Sequence, residues 1–210
     1  MGNGLLVEND SSHVQIDSSY KNMCLSGKST GILFTHTLNT IHAFRALTQG
    51  VAFSIRCYSN DSVNCYYELS ATAQSYDFGW TIPSTQNGSG LEIFNVSGEL
   101  VFSSEAKPLR VLDFVSMNIS NVSGSVIFSK TYPGKQIAII PSQIPYNWER
   151  NNQNVRGYST IFTINGDSIN VVYGIAKEWN ADRGSLTGSA NRNDVFQPYV
   201  NFLVVDVSNY

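Results

Sequence analysis

Alternation of apolar and polar residues at period two runs along nearly the whole chain, with β-branched and aromatic side chains at the alternating positions. A strand turns successive side chains to opposite faces, whereas an amphipathic helix repeats its apolar stripe every three to four residues, so this rhythm predicts strands. They fall at 5–8, 14–17, 32–37, 42–47, 52–58, 65–72, 90–95, 99–103, 109–117, 125–129, 136–140, 159–164, 168–176 and 199–207. Turn signals separate them at Asn9-Asp10-Ser11, Ser97-Gly98, Ser123-Gly124, Pro133-Gly134 and Asn165-Gly166. Asn165-Gly166 is the clearest, because Asn-Gly accepts the positive φ of a tight type I′ hairpin. Capped windows with a helical period are missing, so one short helical turn near Ile144–Trp148 is the most helix expected. The expected fold class is all-β, an antiparallel β-sandwich with little or no helix, built either as one body or as two small β modules.

Repetition sharpens this picture. Residues 4–18 read GLLVENDSSHVQIDS and residues 90–104 read GLEIFNVSGELVFSS. One constant offset of 86 positions equates Gly4 with Gly90, Leu5 with Leu91, Val7 with Ile93, Asn9 with Asn95, Ser11 with Ser97, Val14 with Leu100, Ile16 with Phe102 and Ser18 with Ser104. Every pair is either identical or apolar in both copies, which predicts one hairpin made twice: two inward positions, a turn from the Asn, and two inward positions returning. A third echo, NVSGSVIFS at 121–129, lacks the leading strand. If the repeats are units, the polar run 85–90 divides the chain into an N-terminal β module, 1–86, and a C-terminal β module, 87–210. A single core shared by both halves is the alternative.

Composition excludes several partners. Charged residues are 14% of the 210, and 13 basic against 16 acidic side chains cannot build the dense positive footprint that nucleic acid requires. The first residues show no basic segment leading into a long apolar stretch, and Leu6 breaks the myristoylation pattern after Gly2, so neither a secretory signal nor an acyl anchor is expected. Apolar runs such as 137–141 and 202–205 fall far short of the roughly 20 residues that cross a bilayer as a helix, so no membrane insertion is expected. Three cysteines, Cys24, Cys57 and Cys65, read as reduced thiols, with a Cys57–Cys65 hairpin clasp as the alternative in an oxidising medium.

Catalytic and metal chemistry finds little foothold. The only histidines are His13, His36 and His42, and no strand-to-helix nucleophile elbow of the hydrolase type is expected beside them. A turn over 37–41 could join His36 to His42, but Cys24 lies at none of the short spacings that structural zinc sites show, so no metal site and no cofactor are expected. Acidic residues of the C-terminal third, from Glu149 to Asp206, match no calcium loop and read as solvated faces. Two long stretches without strand rhythm stand out, 145–157 and 177–198. The first holds Trp148, Glu149 and Arg150, and the second Trp179 and Arg183. Trp and Arg concentrate in interface hot spots, and an exposed indole among amides also suits a sugar ring, so these five are the candidates for an interface or ligand. Either Trp could instead tuck back to anchor its own loop.

The hairpin wording G-L-x-[VI]-x-N-x-x-G-x-x-x-F-x-S, read in Gly90, Asn95, Gly98, Phe102 and Ser104, resembles a poorly characterised family of small tailed-bacteriophage proteins encoded among tail genes. Its members are taken to be virion structural components. The N-terminal copy, Gly4, Asn9 and Ser18, departs from the wording with Ser12 at the turn glycine and Ile16 at the phenylalanine. The resemblance covers about 45 of the 210 residues and transfers no catalytic residue. It implies a non-enzymatic tail-tip or tail-fibre-associated protein of the virion, synthesised in the host cytoplasm. Its partners would be copies of itself and other tail proteins. A host-surface glycan binder working through Trp148 and Trp179 is the rival expectation.

Overall fold

The computed structural model describes residues 6–8, 14–17, 21–36, 39–59, 65–84, 90–119, 124–151, 154–180 and 199–210, and every regular element among them is a strand. The N-terminal half holds β1 (Leu6–Glu8), β2 (Val14–Asp17), β3 (Cys24–His36), β4 (Thr40–Ala46), β5 (Ala52–Ser59) and β6 (Cys65–Gly79). Then follow β7 (Glu92–Phe94), β8 (Leu100–Ser103), β9 (Val111–Asn118), β10 (Val126–Thr131) and β11 (Ile137–Gln143). The chain ends with β12 (Tyr146–Asn151), β13 (Asn154–Asn165), β14 (Ser168–Asn180) and β15 (Tyr199–Asp206).

Eleven strands form one antiparallel sheet in the order β10-β14-β13-β5-β6-β4-β11-β15-β9, with β12 added beside β13 and β3 beside β6. The sheet turns on β6. Its C-terminal part pairs with β4 (His42 opposite Asp77) and its N-terminal part with β5 (Cys57 opposite Tyr67). On the β3 side, residues 69–72 of β6 stand against the single residue Ile32, because Gly31 faces Ala73 and Leu33 already faces Glu68, while Leu69 keeps Ile55 of β5 on its other side. Tyr67 and Ser75 would lie roughly 26 Å apart on a straight strand. Yet Phe44, the ladder partner of Ser75, has its ring 5.3 Å from that of Tyr67. The β3–β6 ribbon therefore folds over at this irregularity and sends two arms, β4-β11-β15-β9 and β5-β13-β14-β10, to face each other.

Aromatic side chains fill the space between the arms. Phe162 of β13 meets Phe202 of β15 edge-on at 5.3 Å, Phe128 of β10 meets Phe202 at 5.9 Å, and Phe53 lies 5.9 Å from Phe162. At the far side the arm ends are tied: Lys130 Nζ lies 2.7 Å from Asp113 Oδ2, and the Tyr132 hydroxyl donates to the same oxygen at 2.9 Å. The result is a large, nearly closed antiparallel barrel. A second apolar layer covers the outer face of the first arm, where Ala43, Phe78, Ala138, Ile140 and Val205 pack with Met23, Leu25, Leu109 and Tyr210. Two-sided burial explains why Ile137-Ala138-Ile139-Ile140 is continuously apolar: Ile137 and Ile139 enter the inner core, Ala138 and Ile140 the outer layer. Strands from both sides of residue 86 share this sheet and this core, as the pairings of β5 with β13 and β4 with β11 show. Residues 85–89 themselves lie outside the described residues.

Two sequence expectations need correction. The helical turn near Ile144–Trp148 is not formed, since β11 runs to Gln143 and β12 begins at Tyr146. Pro145 accounts for this by pushing the residue before it into extended backbone and by supplying no N–H. The stretch 145–157 is also not a loop. It is the β12–β13 hairpin, running from Tyr146 opposite Ser159 to Asn151 opposite Asn154. Its sequence, YNWERN and NVRGY, alternates only over Tyr146–Glu149 before Arg150, Asn151 and Asn154 break the pattern, too short a rhythm to mark strands. Similarly, 177–180 belong to β14, and 181–198 lie outside the described residues.

Candidate functional site

The repeated hairpins are small sheets of their own, apart from the barrel. In the first, Leu6, Val7 and Glu8 face Asp17, Ile16 and Val14, with the register slipping between Val7 and Glu8. In the second, Glu92, Ile93 and Phe94 face Ser103, Phe102 and Leu100, slipping between Ile93 and Phe94. Adding the repeat offset to every residue of the first hairpin reproduces the second, bulge included. Gly4, Asn9 and Ser18 fall outside the described residues.

In the second copy each motif residue has a physical task. The Asn95 side-chain oxygen accepts from the backbone N–H of Ser97 (3.0 Å) and of Glu99 (2.9 Å), while its carbonyl accepts from Gly98 (2.9 Å). Gly98 sits at φ 77°, a conformation open to glycine at little cost. The Ser104 hydroxyl accepts from the Leu91 N–H at 3.0 Å, and the Ser104 N–H donates to the Leu91 carbonyl at 2.9 Å, closing the base. Phe102 pairs with Ile93, and Ile93 and Val101 are buried. Leu91, Phe94 and Val96 are left exposed, Val96 at 94%.

The segments that follow the two hairpins cross each other. Leu25 N–H donates to the Lys107 carbonyl and Leu109 N–H to the Met23 carbonyl, both at 2.8 Å, and Cys24 bridges Pro108 antiparallel. This register sets Met23 opposite Leu109, the very residues that the repeat offset equates. The two segments thus pair antiparallel about Cys24 and Pro108, with the equated residues Met23 and Leu109 meeting at one end of the contact.

The Trp-bearing stretches meet in a second place. In β12–β13–β14, Arg150 faces Val155 and Val155 faces Trp179, so these three form one cross-strand row. Glu149, Arg156 and Glu178 form the adjacent row, and Trp148 stands opposite Gly157 and so in line with Lys177. The described parts of the two stretches, 146–151, 154–157 and 177–180, thus lie in one ribbon. Arg183 lies outside the described residues.

A polar cluster inside the barrel was only half visible in the sequence. His42 Nδ1 lies 2.8 Å from Asp77 Oδ1, and the Ser75 hydroxyl donates to the same oxygen. Ser75 is fully buried and His42 nearly so. The His36 ring stands 5.9 Å from that of His42, and the Tyr67 ring 5.8 and 5.9 Å from the two. Burial, then the neighbouring His42, lowers the His36 pKa. Burial works to raise that of Asp77, but the hydrogen bonds from His42 and Ser75 and the His42 charge outweigh it and bring it down. The Ser–His–Asp set is no nucleophile relay, because serine and carboxylate converge on one nitrogen of the histidine instead of flanking it. His36 and His42 do come together, while residues 37–38 between their strands lie outside the described residues. Cys24 stands at the opposite end of β3, its thiol on the Asn22 carbonyl. No group of three or more His, Cys, Asp or Glu arranged to hold a metal occurs among the described residues. Cys57 is in no disulfide, and the register sets it opposite Tyr67 while Cys65 faces Ser59.

The chain matches no family model, no curated protein and no solved structure.

Proposed function

We propose that this chain is a non-enzymatic structural component of a tailed-bacteriophage virion, assembling at the tail tip or tail-fibre attachment region through β-rich contacts with copies of itself and with other tail proteins. It would be made in the host cytoplasm and end in the tail. The observation that carries this proposal is the duplicated hairpin. One chain holds two hairpins of one register, each followed by a segment that pairs antiparallel with the other, so it offers a neighbouring protein two like docking elements. The described copy turns Leu91, Phe94 and Val96 to solvent, apolar area that a partner would bury. Paired, equivalent contacts are how closed symmetric assemblies are built. We read the barrel more finely as a two-layered β-sandwich hinged along β3–β6, with 1–86 and 87–210 as repeated halves of one body; the facing arms and the shared core support this.

Stopping the reading frame in an infecting phage tests the role. Tails without a competent tip, alongside normal heads, are expected, and full yields of infectious particles would refute it.

A host-glycan reading is favoured by one observation, the row that sets Trp179 in line with Arg150 on a three-stranded ribbon. It requires Trp148→Ala and Trp179→Ala to weaken glycan binding by about 1 to 3 kcal/mol each, the scale of aromatic stacking, while leaving the fold intact.

A further inference from the structure

We propose that His36 and His42 chelate a divalent transition-metal cation, of the nickel, copper and zinc group, between the two arms of the barrel. Two ring nitrogens, His36 Nδ1 and His42 Nε2, are buried and have no hydrogen-bond partner. Buried polar atoms left unpartnered are rare and costly, so two in adjacent rings call for a common explanation. The rings come from different strands, β3 and β4, and reach each other only because the β3–β6 ribbon folds over.

Three features make the pair a chelate. A cation held by one nitrogen of each ring at about 2.0–2.1 Å places the ring centres roughly 5 to 6.5 Å apart. The observed separation is 5.9 Å, with the rings inclined at 68°. Asp77 Oδ1 lies 2.8 Å from His42 Nδ1, so Nε2 is the unpartnered nitrogen of that ring; a carboxylate behind a histidine is the usual support of a metal-ligating imidazole. Ser75 holds that carboxylate in place, and Tyr67 packs edge-on against both rings. Imidazole nitrogens favour borderline cations over calcium or magnesium, and with two protein ligands the remaining coordination positions stay open to water or to a ligand from a neighbouring chain.

Titration of the intact chain with zinc chloride at pH 7.5, followed by calorimetry, reads the site. One equivalent is expected to bind, and the copper-loaded protein should show coupling to two nitrogens in its electron paramagnetic resonance spectrum. His36→Ala and His42→Ala should each weaken zinc binding by at least about tenfold, and Asp77→Asn by about tenfold or more. His13→Ala should leave it unchanged, and far-UV circular dichroism checks that each variant folds. If His42→Ala fails to fold, His36→Gln, at the less buried ring, decides the matter. The proposal fails if zinc does not bind at this pH, if binding survives the His36 variants, or if His13→Ala abolishes it.

Discussion

Asn95 and Gly98 show how a short motif becomes a shape. A turn closed by one side-chain oxygen on two backbone N–H groups, with a glycine at positive φ, explains why those residue types recur at that spacing. Asn95→Ala should cost about 1 to 2 kcal/mol through two lost hydrogen bonds, and Gly98→Ala about 1 kcal/mol through backbone strain. Both are measured by urea unfolding. Protonation should also shape stability. His36 has a lowered pKa, so its contribution is complete above the ordinary histidine value and declines as pH falls below about 6.5. Asp77, Asp113 and Asp206 all have lowered pKa values, so their contributions persist above the ordinary carboxylate range and are lost as pH falls through and below about 4. Two successive declines in midpoint temperature are therefore expected between pH 7 and pH 2. His36→Gln should flatten the first alone.

Among the elements, strands and hairpins were legible wherever one face is buried and the other wet, as in β8, where Leu100 to Ser103 alternate in exposure. β12 and the first part of β13 were not, because their rhythm is too short and is broken by Arg150, Asn151 and Asn154, although 159–164 of β13 was legible. Pairing between distant strands was equally hidden. Nothing in 65–79 signals that β6 folds over at 69–72, and that fold is what sets β4 and β5 on separate arms and brings His36 to His42. The seam between β9 and β10 rests on Asp113, whose carboxylate is bound by Lys130 and by the Tyr132 phenol. Lys130 is half exposed, so its share is small and most of the effect lies in the Tyr132 bond. Asp113→Ala should destabilise the fold by about 1 to 2 kcal/mol. Amide exchange should then quicken first in β10, held by backbone pairing on its β14 side alone.

For the whole molecule, the sequence displayed the duplicated hairpin but not its consequence, that the segments after the two copies pair antiparallel and bring Met23 opposite Leu109. In the proposed role, the two hairpins hold neighbours in a repeating structure. Phe94→Ser with Val96→Ser should weaken association by more than about tenfold, since burying one such apolar side chain is worth roughly 1.5 to 3 kcal/mol. Sedimentation velocity of the two proteins over a concentration series reads this, and unchanged association would move the interface off the hairpin. The virion role itself meets its most direct test in electron microscopy of purified phage particles decorated with gold-labelled antibody to this chain. The account predicts gold confined to the tail end, at the tip or the fibre attachment region; particles that carry no gold, with the chain recovered only from the soluble lysate, would contradict it.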